Sequence, residues 1–337
     1  MTDDNTADGA GTTVTAVTVD TGEADPLGLP PGPPVRTETV HFYSDGWRLQ
    51  GVLVAPGVPC ASGKVVPPAP WPALVCSHGW SGAVNFRVLP LAARLARAGY
   101  LMLVIDHRGF GGSEGPRARC DPREQVRDMS AAATYLAQRP DVDAAALGAI
   151  GASFGGAIAI AAAAADQRFM ACVAIVALGS GRRWLRELHG EARWAGLTER
   201  LAADEVARVL TGVGERVELS VLMPLPPSPA AEAEADLVRR AYPGGYPLEN
   251  AGLALDFAPE DAAAKIAPRA LCLITTADDA VIPASHSRAI HARAGEPKVL
   301  HVLPEGNHGG PLGPLVDTTA ELTAAFLAGA LRPERAR

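Results

Sequence analysis

Ser153 lies in Gly151-Ala152-Ser153-Phe154-Gly155-Gly156, a G-x-S-x-G placed between an apolar run at residues 146–151 and an Ala-rich run at 154–165. Small residues on both sides of a serine let a strand turn sharply into a helix and leave the hydroxyl exposed at the bend. The helix N-terminus behind it favours developing negative charge. The alternative is a Gly-rich strand–helix turn with no chemistry. A serine hydroxyl attacks a carbonyl only with a base beside it. His308 is the candidate, in Pro304-Glu305-Gly306-Asn307-His308-Gly309-Gly310, the loop after the last apolar run, from which an imidazole can reach back to a crevice. His41, His291 and His301 fall on strand or helix patterns and read as structural or solvated, and His286 as capping or solvating the helix that follows it. The base in turn needs an orienting carboxylate. Thr275-Thr276-Ala277-Asp278-Asp279-Ala280-Val281-Ile282-Pro283 follows another apolar run and offers two adjacent ones, Asp278 and Asp279. An oxyanion needs two backbone N–H donors. The residue after the nucleophile, Phe154, supplies one, and the loop Ser77-His78-Gly79-Trp80 supplies the other, assigned to Trp80 with Ser81 as the alternative. His78 reads as structural, holding that loop by hydrogen bonds.

These groups converge only if strands and helices deliver them to one edge. Alternation at residues 37–43 and 49–55 about Ser44-Asp45-Gly46 predicts an antiparallel hairpin. After a Pro-rich loop at 56–72, apolar runs at 73–77, 100–105, 146–151, 170–178, 270–275 and 298–303 predict buried strands. Between them, Val88, Leu91, Leu95 and Ala98 recur at helical spacing before Gly99, and Asp121-Pro122 opens a helix with Val126, Met129, Ala133 and Leu136 on one face. Further helices are predicted at 154–165, 284–294 and 319–331. The alternation specifies an α/β fold, a mostly parallel central sheet with helices on both faces. Residues 180–268 interrupt it with helical patterning and proline breaks at 224–229 and around 243–247. A helical cap inserted there sits over the crevice at the strand C-termini. Trp184, Trp194 and His189 in the cap are the candidate substrate-binding residues, while Leu222, Met223 and Leu225 fit either the cap's core or the pocket wall.

Composition bounds the rest. The 337 residues are 48% hydrophobic and 20% charged, ample for a buried core. A net charge of −7 disfavours a nucleic-acid surface. The five cysteines are odd in number and form no C-x-x-C, so neither a disulfide framework nor a zinc site is expected. No signal peptide is read, and the longest apolar stretch, around 157–165, is too short for a membrane span. The expected organisation is a disordered acidic, Pro-rich tail at 1–34, an α/β core at 35–179 and 269–337, and the cap at 180–268. The expectation is a cytoplasmic protein with no metal or cofactor, no nucleic-acid or membrane partner, a small-molecule acyl substrate, and a homodimer left open.

From about Val35 to Leu331 the chain resembles the α/β-hydrolase superfamily. Ser77-His78-Gly79 resembles its oxyanion loop, Asp106-His107-Arg108-Gly109-Phe110-Gly111-Gly112-Ser113 its D-x-R-G-x-G-x-S stretch, and residues 277–283 its acid loop. Phe42-Tyr43-Ser44-Asp45-Gly46 with Leu49-Gln50-Gly51 resembles the group holding dienelactone-hydrolase-like esterases and X-Pro dipeptidyl-peptidase-like hydrolases. The resemblance implies structural roles for Asp106 and Arg108. Its spacing to Val281-Ile282-Pro283 favours Asp279 over Asp278, giving a Ser153–Asp279–His308 triad. Dienelactone hydrolases use cysteine where Ser153 stands, which argues against that particular activity. The implied function is a serine hydrolase cleaving an ester, thioester or lactone of a small to medium organic substrate through an acyl-enzyme on Ser153. The alternatives are a C–C bond hydrolase or a lyase or cyclase of natural-product metabolism, a peptidase with the same triad and, last, a non-catalytic ligand receptor.

Overall fold

The computed structural model describes residues 33–57, 69–82, 85–225 and 229–331, so the tail expected at 1–34 lies almost wholly outside the described residues, as does Cys60. The chain opens with β1 (Val35–Ser44) and β2 (Trp47–Pro56), paired antiparallel. Between them Asp45 and Gly46 both take positive φ, 48° and 84°, which matches the turn twist to that of the strands. Val40 and Phe42 of β1 point inward while His41 and Tyr43 point out, as a sheet with one covered face requires.

There follow β3 (Trp71–Ser77), α1 (Asn85–Arg97), β4 (Leu101–Ile105), α2 (Pro122–Ala137), β5 (Val142–Ala152), α3 (Phe154–Ala165) and β6 (Phe169–Ile175). The cap comprises α4 (Gly181–Thr211), β7 (Arg216–Val217), α5 (Leu219–Leu222), α6 (Pro229–Ala241), β8 (Tyr246–Pro247), α7 (Glu249–Leu255) and α8 (Pro259–Ala262). The core resumes with β9 (Ala270–Thr276), α9 (Ala284–Arg293), β10 (Lys298–Leu303) and α10 (Val316–Leu331). Eight strands form one sheet in the order β1-β2-β4-β3-β5-β6-β9-β10. From β4 to β10 all neighbours are parallel, and only β2 runs against them, since β1 is antiparallel to β2. Helices cover both faces. One buried cluster gathers residues of α2, α3 and α9, the other residues of α1 and α10. Double coverage is why β4, β6 and β9 are buried almost throughout instead of alternating.

The chain reverses its direction of travel across the sheet at β3, with β4 on one side and β5 on the other. Such a point leaves a crevice at the strand C-termini. Ser77 pairs with Gly151 there, so the loop after β3 and the turn after β5 leave the sheet side by side. α3 presses closely on that junction: a Cβ at Gly155 would run into the carbonyl oxygens of Ser77 and His78, and one at Gly151 into the carbonyl of Gly155. The cap is anchored to the core through α7. The buried Asn250 donates to the Ala118 carbonyl (2.8 Å) and accepts from the Cys120 amide (2.9 Å). α4 is two helical segments joined at Gly190, whose φ of 64° and ψ of 163° break the helix. Among the described residues no helix is long and apolar enough to cross a membrane.

Because the atoms facing Gly155 are backbone, they yield little. Gly155→Ala is expected to cost about 1–3 kcal/mol of stability, measured by urea unfolding; a variant as stable as the parent would show that the junction is not tightly packed.

Candidate active site

Ser153 is the residue between β5 and α3, and its backbone is held at φ 59°, ψ −127°. A non-glycine residue pays for positive φ, and such strain survives only where the surroundings fix it. Here the Ser153 amide is locked to the Ile175 carbonyl (2.8 Å), and its own carbonyl takes the Gly156 and Ala157 amides. The bend aims Ser153 Oγ at His308 Nε2, 3.0 Å away. His308 Nδ1 lies 2.8 Å from Asp279 Oδ2. Asp279 is buried, and its other oxygen accepts the amides of Val281 and Ile282, both at 2.8 Å. An acceptor-only carboxylate facing Nδ1 makes that nitrogen the N–H donor and leaves Nε2 bare toward the serine. The geometry therefore separates the two candidate carboxylates. Asp278 turns outward and accepts the amides of Asn307 (2.8 Å) and Gly306 (3.2 Å), which hold its carboxyl below the ordinary range. It braces the loop that carries His308 and does not touch the imidazole. Thr276 Oγ1 adds a bond to the Asn307 carbonyl (2.8 Å), and Asn307 itself sits at φ 48°.

The oxyanion loop after β3 is built on a turn in which the Gly82 amide donates to the Gly79 carbonyl (3.2 Å). That turn does not use the Trp80 amide, and Phe154, as first residue of α3, has no helical acceptor for its N–H. Below the loop lies a buried polar cluster. His78 donates Nδ1–H to the Gly79 carbonyl (2.6 Å) and accepts the His107 amide at Nε2 (3.3 Å). His107 Nε2 meets Ser77 Oγ at 2.7 Å, and its Nδ1 lies 3.4 Å from Asp128. This second Ser–His–Asp grouping is buried beyond reach of any substrate, so its role is to hold the loop. Burial, helped by the neighbouring His107, pushes His78 down to about 3. For Asp128 burial works upward, but bonds from His107 and Arg108 win and hold it at about 2. Asp106, buried and receiving the Gly112 amide, is pushed up to about 6 by burial. Arg108 links Asp128, Ser44 and Asp45, tying the hairpin to this layer.

A cavity of about 80 Å³ opens at Ser153 and His308. Trp80, Val88, Val176, Met223, Leu225 and Leu312 give it apolar walls, and Arg87 also lines it. Val176 is a β-branched residue at φ 43°, a strained position that sequence patterning gave no sign of. Three cap residues expected to meet substrate do not line this cavity. Trp184 is buried behind it, its ring 4.7 Å from that of Trp80 and 6.3 Å from that of Phe154. Trp194 packs half-buried on the core. His189 bonds the Leu222 carbonyl (3.1 Å) and lines a separate cavity with Arg193 and Arg200. The physical reason is that these side chains are taken up by packing, Trp184 between the cap and the core rings of Trp80 and Phe154 and His189 within the cap. Met223 and Leu225 are the cap residues that reach Ser153's cavity. His286 also departs from expectation: it is buried, accepting the Gly179 amide at Nδ1 (3.0 Å) and meeting Glu187 at Nε2 (3.0 Å). It pins α9 to the cap instead of facing solvent. The four described cysteines are buried, which pushes their thiols up, so none competes with Ser153 as a nucleophile. No cluster of metal-ligating side chains occurs among the described residues.

Residues 68–310 match the family described as serine aminopeptidase, S33. The thiohydrolase aneE of Aspergillus aculeatus is 41% identical over 144 residues, 42% of this chain and 42% of that protein. The quorum-quenching protein AidA of Acinetobacter baumannii is 38% identical over 135 residues, 40% of this chain and 41% of that one. The matches thus span about two fifths of the length of these relatives. In fold, the chain is similar to the α/β hydrolase GrgF of Penicillium sp. sh18, with a TM-score of 0.71 at 24% identity over 88% of this chain and 99% of that one.

Two outcomes follow from the geometry. Asp279→Asn should lower kcat by roughly 10⁴-fold, as loss of the orienting carboxylate does elsewhere, whereas Asp278→Asn should cost far less; the reverse ranking in steady-state assays would place the wrong carboxylate on His308. The buried His78 is neutral, with a folded value near 3 against an ordinary 6.5, so its contribution to stability is complete above pH 6.5 and is lost as pH falls toward 3. Asp106, raised, acts in the opposite sense as pH rises toward 6. Urea unfolding of His78→Asn across pH 3–7 should therefore show a flatter acid slope than the parent; equal slopes would mean His78 is not buried neutral.

Proposed function

The chain belongs to the serine aminopeptidase S33 family of α/β-hydrolases, and from that premise we propose that it is a serine hydrolase cleaving an ester, thioester or lactone of a small organic acid. Ser153 Oγ attacks the carbonyl carbon as His308 Nε2 takes its proton. Asp279 holds the resulting imidazolium through Nδ1–H, and the amides of Trp80 and Phe154 receive the oxyanion. Collapse expels the leaving group with the proton from Nε2 and leaves an acyl ester on Ser153. Water, deprotonated by His308, attacks that ester and restores the free serine.

The observation that carries this reading is Ser153 Oγ at 3.0 Å from His308 Nε2, on the wall of an apolar cavity. The cavity's size and lining then favour one substrate class. About 80 Å³ is roughly half the ~150 Å³ that holds a benzene ring, so it suits a short acyl group with the leaving group toward the mouth. Despite the family's description, the described residues lining the cavity include Arg87 but no carboxylate, the group that would hold a peptide's free ammonium. A thioester is the first candidate because the curated relatives include a thiohydrolase.

The test is a panel of acetyl, butyryl and benzoyl thioesters, the matching aryl esters, simple lactones and aminoacyl anilides. Short acyl thioesters and esters should turn over, with kcat/KM falling by about tenfold or more from butyryl to benzoyl. Ser153→Ala should lower kcat by roughly 10⁴-fold. The rate should fall on the acid side, because general-base catalysis needs an unprotonated base. Anilides cleaved faster than esters would overturn the reading in favour of a peptidase.

A further inference from the structure

The two loops that the reaction depends on are each tied to the cap by a hydrogen bond; Ser81 and Val281, which accept these bonds, line the substrate cavity, whereas the cap side chains that donate them do not. The first is on the oxyanion loop. The Ser81 carbonyl, one residue beyond the Trp80 amide, accepts the Tyr246 hydroxyl at 2.6 Å. Tyr246 is buried. Its backbone is fixed by the β7–β8 pair, where it faces Val217, and its ring lies 5.4 Å from that of Tyr242. Tyr242 is itself anchored to the core, its hydroxyl accepting the Gly111 amide at 3.3 Å. The second tie is on the acid loop. The Val281 carbonyl, two residues beyond Asp279, accepts the Trp184 indole N–H at 3.0 Å. The same Val281 donates its own amide to Asp279. Trp184 also packs on the rings of Trp80 and Phe154, the two residues assigned as oxyanion donors.

Resting on the serine-hydrolase reading, we propose that the cap is a positioning element of the catalytic site: Tyr246 sets the direction of the Trp80 amide through Ser81, and Trp184 sets the acid loop through Val281. The argument is geometric. The Trp80 amide shares its peptide plane with the Gly79 carbonyl, and the Ser81 carbonyl shares its plane with the Gly82 amide; the 3.2 Å bond from Gly82 to Gly79 couples the two planes, so the Trp80 amide keeps its direction only while the Ser81 carbonyl is held. Tyr246 holds it. An N–H donor turned off the oxyanion loses its effect in the transition state while leaving ground-state binding almost unchanged. On the other side, Asp279 keeps its bond to His308 only while the Val281 and Ile282 amides stay wrapped around its second oxygen. The Trp184 bond holds the peptide that follows the first of those amides. Both residues lie outside the lining of the Ser153 cavity, so they act through the loops and not on the acyl group.

Tyr246→Phe keeps the ring and deletes the donor; p-aminophenylalanine at 246 restores a donor. Trp184→Phe deletes the indole N–H, and benzothienylalanine at 184 deletes it at nearly constant volume, which covers the case in which Trp184→Phe does not fold. Each protein is assayed with the best thioester or ester of the wild type, with a trifluoromethyl ketone that adds to the serine as a tetrahedral oxyanion, and across pH. Tyr246→Phe should lower kcat by roughly 10- to 100-fold, leave KM within about twofold, weaken the ketone by the same factor as kcat and leave the acid limb of the pH profile in place. The amino analogue should recover most of the loss. Loss of the Trp184 N–H should lower kcat and move the acid limb, because the loop that presents Asp279 to His308 Nδ1 is loosened. The inference is overturned if the folded variants match the wild-type kcat, if KM rises while kcat stays, or if restoring the donor at 246 rescues nothing. A wild type that turns over none of the panel and whose Ser153 resists a fluorophosphonate overturns the hydrolase reading and this inference with it; an active wild type with equally active variants overturns this inference alone.

Discussion

The site hangs on one bend, the turn at Ser153, where β5 passes into α3 with a non-glycine residue at φ 59°. Strain of that kind costs about 1–3 kcal/mol, and it is sustained by the burial around it. β5 is at the sheet's centre, flanked by β3 and β6, and α3 is buried along most of its length. The close approach of Gly155 to the carbonyls of Ser77 and His78 joins the bend to the oxyanion loop, so a change in one displaces the other. The helix direction, the exposure of Oγ and the direction of the Phe154 amide are all consequences of that single packing arrangement.

Around the bend, polar groups are layered. Nearest the cavity are Ser153, His308 and Asp279. Behind the oxyanion loop stand the buried His78, His107 and Ser77, joined by hydrogen bonds, with Asp128 3.4 Å from His107 Nδ1 and Arg108 carrying the network from Asp128 out to the hairpin. Buried polar groups favour the fold only when nearly all are satisfied, so this layer holds the loop in one arrangement. The resemblance of residues 106–113 to a structural stretch of the superfamily acquires a physical meaning: Arg108 neutralises Asp128, and the Asp106 carboxyl accepts the Gly112 amide.

Much of this was legible in the chain. Apolar runs separated by helical spacing predicted the parallel sheet because buried strands need no alternation, and the glycines about Ser153 marked the bend because only they fit it. His308 was legible from its place after the last strand. Residue type alone did not separate Asp278 from Asp279, although the resemblance's spacing favoured Asp279; the backbone path shows that Asp279 faces the imidazole and Asp278 the amides of residues 306 and 307. The cap was least legible. Trp184 looks the same in sequence whether it lines a pocket or braces one, and His286 looks like a solvated residue until α4 is seen to lie over it. Those distinctions depend on contacts about a hundred residues apart, which local pattern does not encode.

The central claim, that Ser153 is the nucleophile and carries the acyl group, is tested most directly by trapping that intermediate. His308→Ala removes the base that deacylation requires, so an activated acyl ester incubated with this variant and quenched in acid should leave a mass increment equal to the acyl group. Peptide mapping of the product should place that increment on Ser153 and show none in the Ser153→Ala protein. An increment on another residue, or one that persists without Ser153, would contradict the account.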